Sequence, residues 1–356
     1  MNKKLNICIL YGGRSVEHQI SVLSAINVFE NINKDEFNVT IIGIDKKGKW
    51  YAMNSVDSDF SQGSPLQLSL DASSPKFIDS NGKTYLIDVA FPVLHGTDGE
   101  DGSIQGLLKA MNIPFAGSGV LGSSVAMDKL IAKQLLSKAG IPVSKYVTYT
   151  TKEQNEINFE VVVNKIGLPF MVKPAHLGSS VGMSKVKNKD EFEAALSDAF
   201  RFDSTILIEE FITGRELECA ILGNSESKAS HPGEIIINGD YEFYTYEAKY
   251  EDENAVKIQI PAKVNEKMAE RIKSLCIQSF KTLKCEDFAR VDLFLTPNGA
   301  IYINEINTIP GFTNVSMFPI LWKQHGITYV DLISKIIHLA LEKDNLTSQI
   351  NRSYTV

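Results

Sequence analysis

Two alternating runs, Ala289-Arg-Val-Asp-Leu-Phe-Leu295 and Ala300-Ile-Tyr-Ile-Asn-Glu-Ile-Asn307, flank the dipeptide Asn298-Gly299. Asn-Gly accepts the positive φ angles of a tight turn, so this stretch predicts a β-hairpin with a two-residue loop. That loop fixes the register. Asp292 falls opposite Glu305 and Arg290 opposite Asn307, and all four side chains project from one face because each pair is two residues apart along its strand. Directly opposed carboxylates repel. Their placement becomes sensible with a divalent cation between them and Asn307 as a further oxygen ligand, and Mg²⁺ suits such a small, oxygen-only set. The alternative is that Arg290 simply neutralises the two acids on a solvated sheet face. The residues that follow, 308–316, form a loop in which Gly311 can bring backbone N–H groups close to a ligand. An arginine, oxygen ligands and a donor-rich loop then converge, as phosphoryl or acyl transfer requires.

The rest of the chain bounds what such a hairpin can belong to. At 356 residues, 44% of them hydrophobic, the sequence is long enough for two or three globular domains, at roughly 100–200 residues each, and is neither a disulfide scaffold nor a disordered tail. A net charge of -7 offers no global attraction to phosphate backbones or anionic membranes, which argues against nucleic acid and membrane partners and for a small-molecule enzyme. Cys8, Cys219, Cys276 and Cys285 are scattered, without metal-ligand or C-x-x-C spacing, and read as buried thiols. The first apolar run is too short for a signal sequence, and no stretch approaches the ~18 apolar residues of a membrane span, so the expected compartment is the cytoplasm.

Periodicity organises the chain into three units. Residues 5–11 form a continuous apolar run stopped by Gly12-Gly13, after which Val16, Ile20, Leu23 and Ile26 recur at helical spacing. The pattern predicts a buried strand, a glycine turn and a helix starting near Ser15, with Glu17 in its first turn. Strands at 39–44 and 87–94, the latter ending at His95-Gly96, and a helix at 103–112 continue the alternation, whereas 45–82 reads as polar and irregular. The first ~120 residues therefore look like an open α/β domain with its loops at the strand C-termini. A helix over 128–139 leads into a smaller α+β unit with strands at 169–173, 182–186 and 206–212 and a helix at 189–200. The third unit begins near Arg215 and holds strands at 217–222 and 255–260, a helix at 265–284, the hairpin, and a closing helix at 329–343. Residues 241–254, polar and aromatic between strands, are a candidate lid, although Tyr244, Tyr246 and Tyr250 at period two equally suit ordinary strand packing.

Gly178-Ser-Ser-Val-Gly182 lies between two predicted strands, so its amides and hydroxyls could form an anion nest over phosphates or be a plain hairpin turn. It is not a Walker A loop, since no G-x-x-x-x-G-K-[ST] occurs, and Gly12-Gly13 lacks the third glycine of a dinucleotide fingerprint. Lys173, ending an apolar strand, and Lys129 add compact positive charge suited to phosphate oxygens.

These residues resemble the D-alanine:D-alanine ligases of the ATP-grasp superfamily. The likeness rests on Gly12-Gly-Arg-Ser-Val-Glu-His-Gln-Ile-Ser21, His95-Gly-Thr-Asp-Gly-Glu-Asp-Gly102, Met127-Asp-Lys129, Lys173-Pro-Ala-His-Leu-Gly-Ser-Ser-Val-Gly182, Tyr246-Glu-Ala-Lys-Tyr250, Ala289-Arg-Val-Asp292 and Asn304-Glu-Ile-Asn-Thr-Ile-Pro-Gly311, in family order over nearly the whole chain. The resemblance implies an α/β and α+β, three-domain ATP-grasp fold: an N-terminal open parallel-sheet domain at 1–122, a central subdomain at 123–212 and a C-terminal subdomain with the metal site at 213–356. ATP would lie between the last two, with Lys129 and Lys173 on phosphates, Glu209, Glu210 and Ile212 along the adenine, and Glu216 at the ribose. Asp292, Glu305 and Asn307 would hold two Mg²⁺ ions, with Mn²⁺ a substitute. Glu17 would pair with the ammonium of the first D-alanine, near His95 and Glu100. Ser179 and Tyr250 would link to Glu17 and close the lid, while Lys249 would face the transferred phosphate. Arg290 and the Gly311 amide would stabilise the oxyanion, and Ser316 and Met317 would bind the second D-alanine. The implied reaction is ATP-dependent formation of D-alanyl-D-alanine through an acyl phosphate, releasing ADP and phosphate for peptidoglycan precursors, in a homodimer. Rival readings are a same-fold ligase taking D-serine or D-lactate second, or a non-catalytic ATP-binding sensor. The Tyr246–Tyr250 motif resembles dipeptide-forming members, and a sensor would not need Arg290.

Overall fold

Strand β1 (Leu5–Gly12) is buried on both faces from Ile7 onward, as the apolar run Ile7–Tyr11 requires, and pairs in parallel with its two neighbours in a seven-stranded sheet. The computed structural model describes residues 4–238 and 255–350. Helix α1 (His18–Asn31) follows the glycine turn but starts three residues later than the periodicity suggested, so Glu17 is its N-cap residue and not a first-turn acid. Its buried face carries Ser21, Val22, Ala25 and Val28, while Val16 and Leu23, two of the residues that set the predicted stripe, are exposed. The reason is local. Gly12 N–H donates to the Ser21 hydroxyl at 2.8 Å and that hydroxyl donates to the Val93 carbonyl, so polar and small residues take the contact with the strand ends.

Residues 45–82, expected to be irregular, instead build an antiparallel extension. After β2 (Phe37–Ile44) come β3 (Trp50–Met53), β4 (Ser64–Leu68), β5 (Lys76–Asp79) and β6 (Thr84–Leu86), then β7 (Val89–Val93), giving the order β6-β5-β4-β3-β2-β1-β7. Only β2 and β7 pair in parallel with β1. The sequence Asp-x-x-Gly-Lys makes two of the turns: Asp45 accepts from the N–H groups of Lys47 and Lys49, and Asp79 from those of Asn81 and Lys83, at 2.8–2.9 Å. These strands are only three to five residues long, too short for a period-two alternation to stand out in the sequence.

Helices α2 (Ser103–Ala110), α3 (Val120–Met127) and α4 (Lys129–Lys138) lead to the second sheet. This comprises β8 (Tyr146–Thr150), β9 (Phe170–Pro174), β10 (Ser184–Val186) and β11 (Thr205–Glu210), all antiparallel in the order β10-β9-β11-β8, with α5 (Phe159–Ile166) and α6 (Phe192–Phe202) covering one face. The third sheet runs β15 (Val256–Gln259), β14 (Gly233–Ile237), β12 (Arg215–Leu222), β16 (Phe288–Leu295) and β17 (Ile301–Asn307), with β13 (Lys228–Ala229) also on β12. Helix α7 (Glu266–Thr282) packs on one face.

The hairpin β16–β17 has the expected pairing at its functional end but not at its turn. Leu295 pairs with Ile301 and Thr296 N–H bonds to the Ala300 carbonyl at 2.9 Å, so Pro297, Asn298 and Gly299 make a three-residue loop with Gly299 at φ 81°. That alone would offset the register by one. A β-bulge at Asn304 restores it, so Asp292 does face Glu305 and Arg290 does face Asn307. The bulge also turns the consecutive side chains of Asn304 and Glu305 to the same cavity.

Helices α8 (Met317–Gln324) and α9 (Tyr329–Ser348) carry the chain back to the first sheet. Ile7, Ile9, Phe91 and Val93 share one buried cluster with Phe288, Phe312, Phe318, Leu332 and Ile336, so the N-terminal and C-terminal parts are joined by a common core. Asp287, fully buried, accepts from Lys343 Nζ at 2.7 Å and from Gly117 N–H at 2.8 Å across the same junction. Among the described residues no helix is long and apolar enough to cross a membrane.

Candidate active site

A cavity of about 320 Å³ lies between the second and third sheets, lined by Lys129, Lys173, Ser179, Glu209, Glu210, Ile212, Glu216, Glu218, Asp292 and Glu305, among others. On its third-sheet wall the register sets Glu218 on β12 beside Asp292 on β16, and Asp292 beside Glu305 on β17, so three carboxylates form one row. Arg290 offsets two of them: Nε and Nη2 donate to the two Asp292 oxygens at 2.7 Å each, and Nε lies 2.9 Å from Glu218. Although burial works against a charged guanidinium, these acids outweigh it and hold Arg290 firmly protonated. Asn307 Nδ2 donates to Asp292 at 2.9 Å.

The opposite wall is cationic. Lys129, at the start of α4, donates to the Leu177 carbonyl at 2.6 Å and stands 3.8 Å from Glu305. Burial lowers its pKa, against the pull of Glu305. Lys173 pairs with one oxygen of Glu209, and Lys133 with the other at 2.8 Å, where the Ser144 hydroxyl also donates at 2.7 Å. Burial would raise the Glu209 carboxyl, but the two lysines outweigh it and hold it well below the usual carboxylate range.

The second corner of the site belongs to the first sheet. Glu17, buried at the head of α1, accepts from the Ser179 hydroxyl, which joins the serine loop to the N-terminal sheet. Ser179 and Ser180 hold φ angles of 52° and 59°, unfavourable for residues with a Cβ and characteristic of functional loops. Gly96 must be glycine: its φ is 75°, and a Cβ there would come within 2.5 Å of both Glu17 Oε2 and Ser15 Oγ. Glu100 bridges the Gly96 and Ile309 N–H groups at 3.0 and 2.9 Å, and its pKa is pushed up to about 8 by burial and then by the charge of Glu17. At the end of the 308–316 loop, the Ser316 hydroxyl accepts from Thr313 N–H at 3.0 Å, Ser316 is the N-cap residue of α8, and a Cβ on Gly311 would lie 2.6 Å from that hydroxyl.

Comparison with known proteins places this geometry. The D-ala D-ala ligase N-terminus model matches residues 6–118 and the D-ala D-ala ligase C-terminus model residues 135–338. A D-alanine–D-alanine ligase of Oceanobacillus iheyensis is 45% identical over 99% of both chains, and D-alanine–D-alanine ligase A of Escherichia coli K12 is 42% identical over 96% of this chain and 97% of its own. The chain belongs to the D-alanine–D-alanine ligase family. Its fold agrees. The D-alanine-D-alanine ligase of Coxiella burnetii superposes with a TM-score of 0.87 at 35% identity, covering 97% of this chain and 96% of that one. The VanG D-Ala:D-Ser ligase of Enterococcus faecalis superposes at 0.85 and 36% identity, covering 95% of this chain and 100% of that one. The α/β and α+β fold that the sequence suggested is therefore the observed one, with a first sheet that is parallel only around β1.

Most of the residues singled out in this ligase from sequence converge, and three of them make contacts that the sequence did not show. Glu209, expected along the adenine, gives its carboxylate to Lys133, Lys173 and Ser144. His95 spends both ring nitrogens on the protein: Nδ1–H donates to the Ile309 carbonyl and Nε2 meets the Ser24 hydroxyl, each at 2.9 Å. The carbonyl can only accept, so a proton sits on Nδ1, and burial depresses the pKa of the ring to about 4, which keeps it neutral at pH 7 with Nε2 accepting from the Ser24 hydroxyl. Met317 buries its side chain in the common core. Lys249 and Tyr250, with the proposed lid at 241–254, lie outside the described residues.

Sequence reasoning missed Lys133, Ser144 and Glu218. Lys133 sits four residues after Lys129, on the same face of α4, which was a readable signal. The other two needed the strand pairing. Among the described residues no three His, Cys, Asp or Glu side chains are grouped as a metal site. The donor set nevertheless suits Mg²⁺, which takes one or two carboxylates and completes its shell from phosphates and water. Asp292 and Glu305 are directly opposed and face a cavity with two lysines on its far wall, and Asn307 can present its amide oxygen by turning the group that now donates to Asp292.

Proposed function

We propose that this chain joins two D-alanines into D-alanyl-D-alanine at the expense of ATP, for peptidoglycan precursors, in the cavity between the second and third sheets. One observation carries the reading. Arg290, Asp292, Glu305 and Asn307 share one face of a hairpin, and two of them, Asp292 and Glu305, line a single cavity with Lys129 and Lys173. A carboxylate is a poor electrophile, so one D-alanine is first phosphorylated on its carboxylate. Lys129 and Lys173 hold the phosphates, while Glu210 and Ile212 line the base and Glu216 reaches the ribose. Bound at Asp292, Glu305 and Asn307, Mg²⁺ supplies charge neutralisation for phosphoryl transfer; we take two ions as the number, with Mn²⁺ able to substitute.

Glu17 holds the ammonium of the first D-alanine, positioned by Ser179. The second D-alanine places its carboxylate at Ser316 and the main-chain N–H of Met317, the first turn of α8, where unpaired helix N–H groups favour an anion. Its amine attacks the acyl phosphate, and the developing oxyanion is met by Arg290 and the Gly311 N–H while phosphate departs. Acyl phosphates hydrolyse readily, so residues 241–254 with Lys249 and Tyr250 are assigned to closing the site.

The same reading divides the chain at 122 and 212, places it in the cytoplasm and makes it a homodimer, supported by the family likeness. A second reading, D-serine as the second substrate, is raised by the likeness to the D-Ala:D-Ser ligase, but the relatives of higher identity are named as D-alanine–D-alanine ligases. The test is product analysis. Purified protein should release phosphate from ATP only with D-alanine and Mg²⁺ present, and D-alanyl-D-alanine should dominate when D-serine and D-lactate compete. Arg290→Ala should still bind ATP but form no dipeptide, a loss of roughly 3 kcal/mol or more of transition-state stabilisation. Phosphate release driven by a different acid, with D-alanine inert, would overturn the assignment.

A further inference from the structure

Two buried ammonium groups share one buried carboxylate behind the cavity. Lys173, Lys133 and Glu209 are 3%, 1% and 4% exposed, and Lys173 and Lys133 occupy different oxygens of Glu209, with Ser144 bridging Lys133 Nζ and Glu209 Oε2 at 2.8 and 2.7 Å. Lys173 and Glu209 line the cavity; Lys133 lies behind them and does not. A Lys173–Glu209 pair alone would be neutral and would present little field to an anion. With Lys133 the cluster carries one surplus positive charge, and the cavity is the side on which a ligand can reach it.

We infer that Lys133 is a positioning residue for nucleotide phosphates: by sharing Glu209 it keeps Lys173 from being neutralised and leaves the cluster with a net charge of one facing the cavity. This rests on the reading that phosphates bind against Lys173. Burying an unbalanced charge is costly unless an opposing ion arrives, so a surplus cation against an open cavity suits a site completed by an anionic ligand. The helix supplies the geometry. Lys129 and Lys133 are four residues apart on α4, so one rigid element sets one lysine at the cavity and the other behind Glu209.

The experiment measures binding of ATP and of adenosine, which lacks phosphates, to the full chain by calorimetry, with thermal melts of every variant. Lys133→Met should weaken ATP by about tenfold or more and leave adenosine within about twofold, because only the phosphates feel the lost charge. Lys133→Met combined with Glu209→Gln restores the net charge, and ATP affinity should return to within about threefold of wild type. Should Lys133→Met fail to fold, Glu209→Gln alone decides: it raises the cluster charge and should retain or tighten ATP binding relative to adenosine. Unchanged ATP binding in Lys133→Met, parallel loss of ATP and adenosine, a double variant no better than the single, or selective loss of ATP in Glu209→Gln would each overturn the inference. If wild type itself binds ATP no better than adenosine, the phosphate site is wrongly placed and the inference falls with it.

Discussion

His95 illustrates how a residue picked out by its motif can serve the site through the parts of the protein that it ties together. Its neutral ring ties the end of β7 to Ser24 on α1 and to Ile309 in the loop before Gly311, so it holds together the two walls that present Glu17 and the oxyanion donors. Burial, then Arg290 nearby, depress its pKa to about 4 against the hydrogen bond that Nδ1–H donates to the Ile309 carbonyl. The sign follows directly. Between the ordinary value near 6.5 and about 4 the unfolded chain takes up a proton that the native ring refuses, so this contribution to stability is intact above that window and is lost as pH falls through it. Across the whole window the loss is about 3 kcal/mol. Urea unfolding at pH 7 and at pH 4 should therefore show a wild-type stability that falls more steeply than that of His95→Gln. Parallel pH profiles would exclude the buried neutral ring.

At the scale of elements, helix α4 carries much of the cationic wall, and its start is fixed by one side chain. Asp128 accepts from the N–H groups of Leu130 and Ile131, both at 3.0 Å, and also from His176 Nε2 at 3.2 Å, while His176 Nδ1 reaches Asp203 at 2.9 Å. Those two acids raise His176 to about 10, so the imidazolium clamps the root of the serine loop at neutral pH. Asp128→Ala should cost about 1–2 kcal/mol through the lost cap and lower the melting temperature, with weakened ATP binding as Lys129 loses its anchor. A variant with wild-type stability would show that the cap contributes nothing. The hairpin teaches a related lesson about elements. Asn298-Gly299 was legible as a turn, and the facing carboxylates were legible from it, yet the loop has three residues and the correct pairing survives only because of the bulge at Asn304. No local feature of Ile303-Asn-Glu305 announces a bulge, since alternation is interrupted only in the paired strand's frame.

For the whole molecule, the N-terminal sheet and the C-terminal helices share one hydrophobic core. Phe312 packs edge-on against Phe91 and Phe288 and tilted against Phe318, with ring centroids 5.8, 5.9 and 5.5 Å away, and Tyr329 donates to its carbonyl. Phe312→Ala should cost roughly 3–5 kcal/mol. The two tryptophans report on the coupling, since Trp50 lies in the first sheet and Trp322 in α8. Single-tryptophan variants should unfold with one shared midpoint, and Phe312→Ala should move both together; separate transitions would mean that the common core does not couple them.

The sequence by itself determined the strand–glycine–helix opening, the three successive units of secondary structure, and the placement of Arg290, Asp292, Glu305 and Asn307 on one face. Those are consequences of local periodicity and of chain-adjacent strands, whose partners lie within a few residues of each other. Tertiary structure decided the rest. Glu218 joins the acidic row, Lys133 shares Glu209, and His95 bonds across to Ser24 and Ile309 only because residues far apart in sequence are brought together by sheet order and helix packing. The short strands within 50–86 were hidden for the complementary reason: runs of three to five residues are too short to show a periodicity of their own, and only the paired backbone distinguishes them.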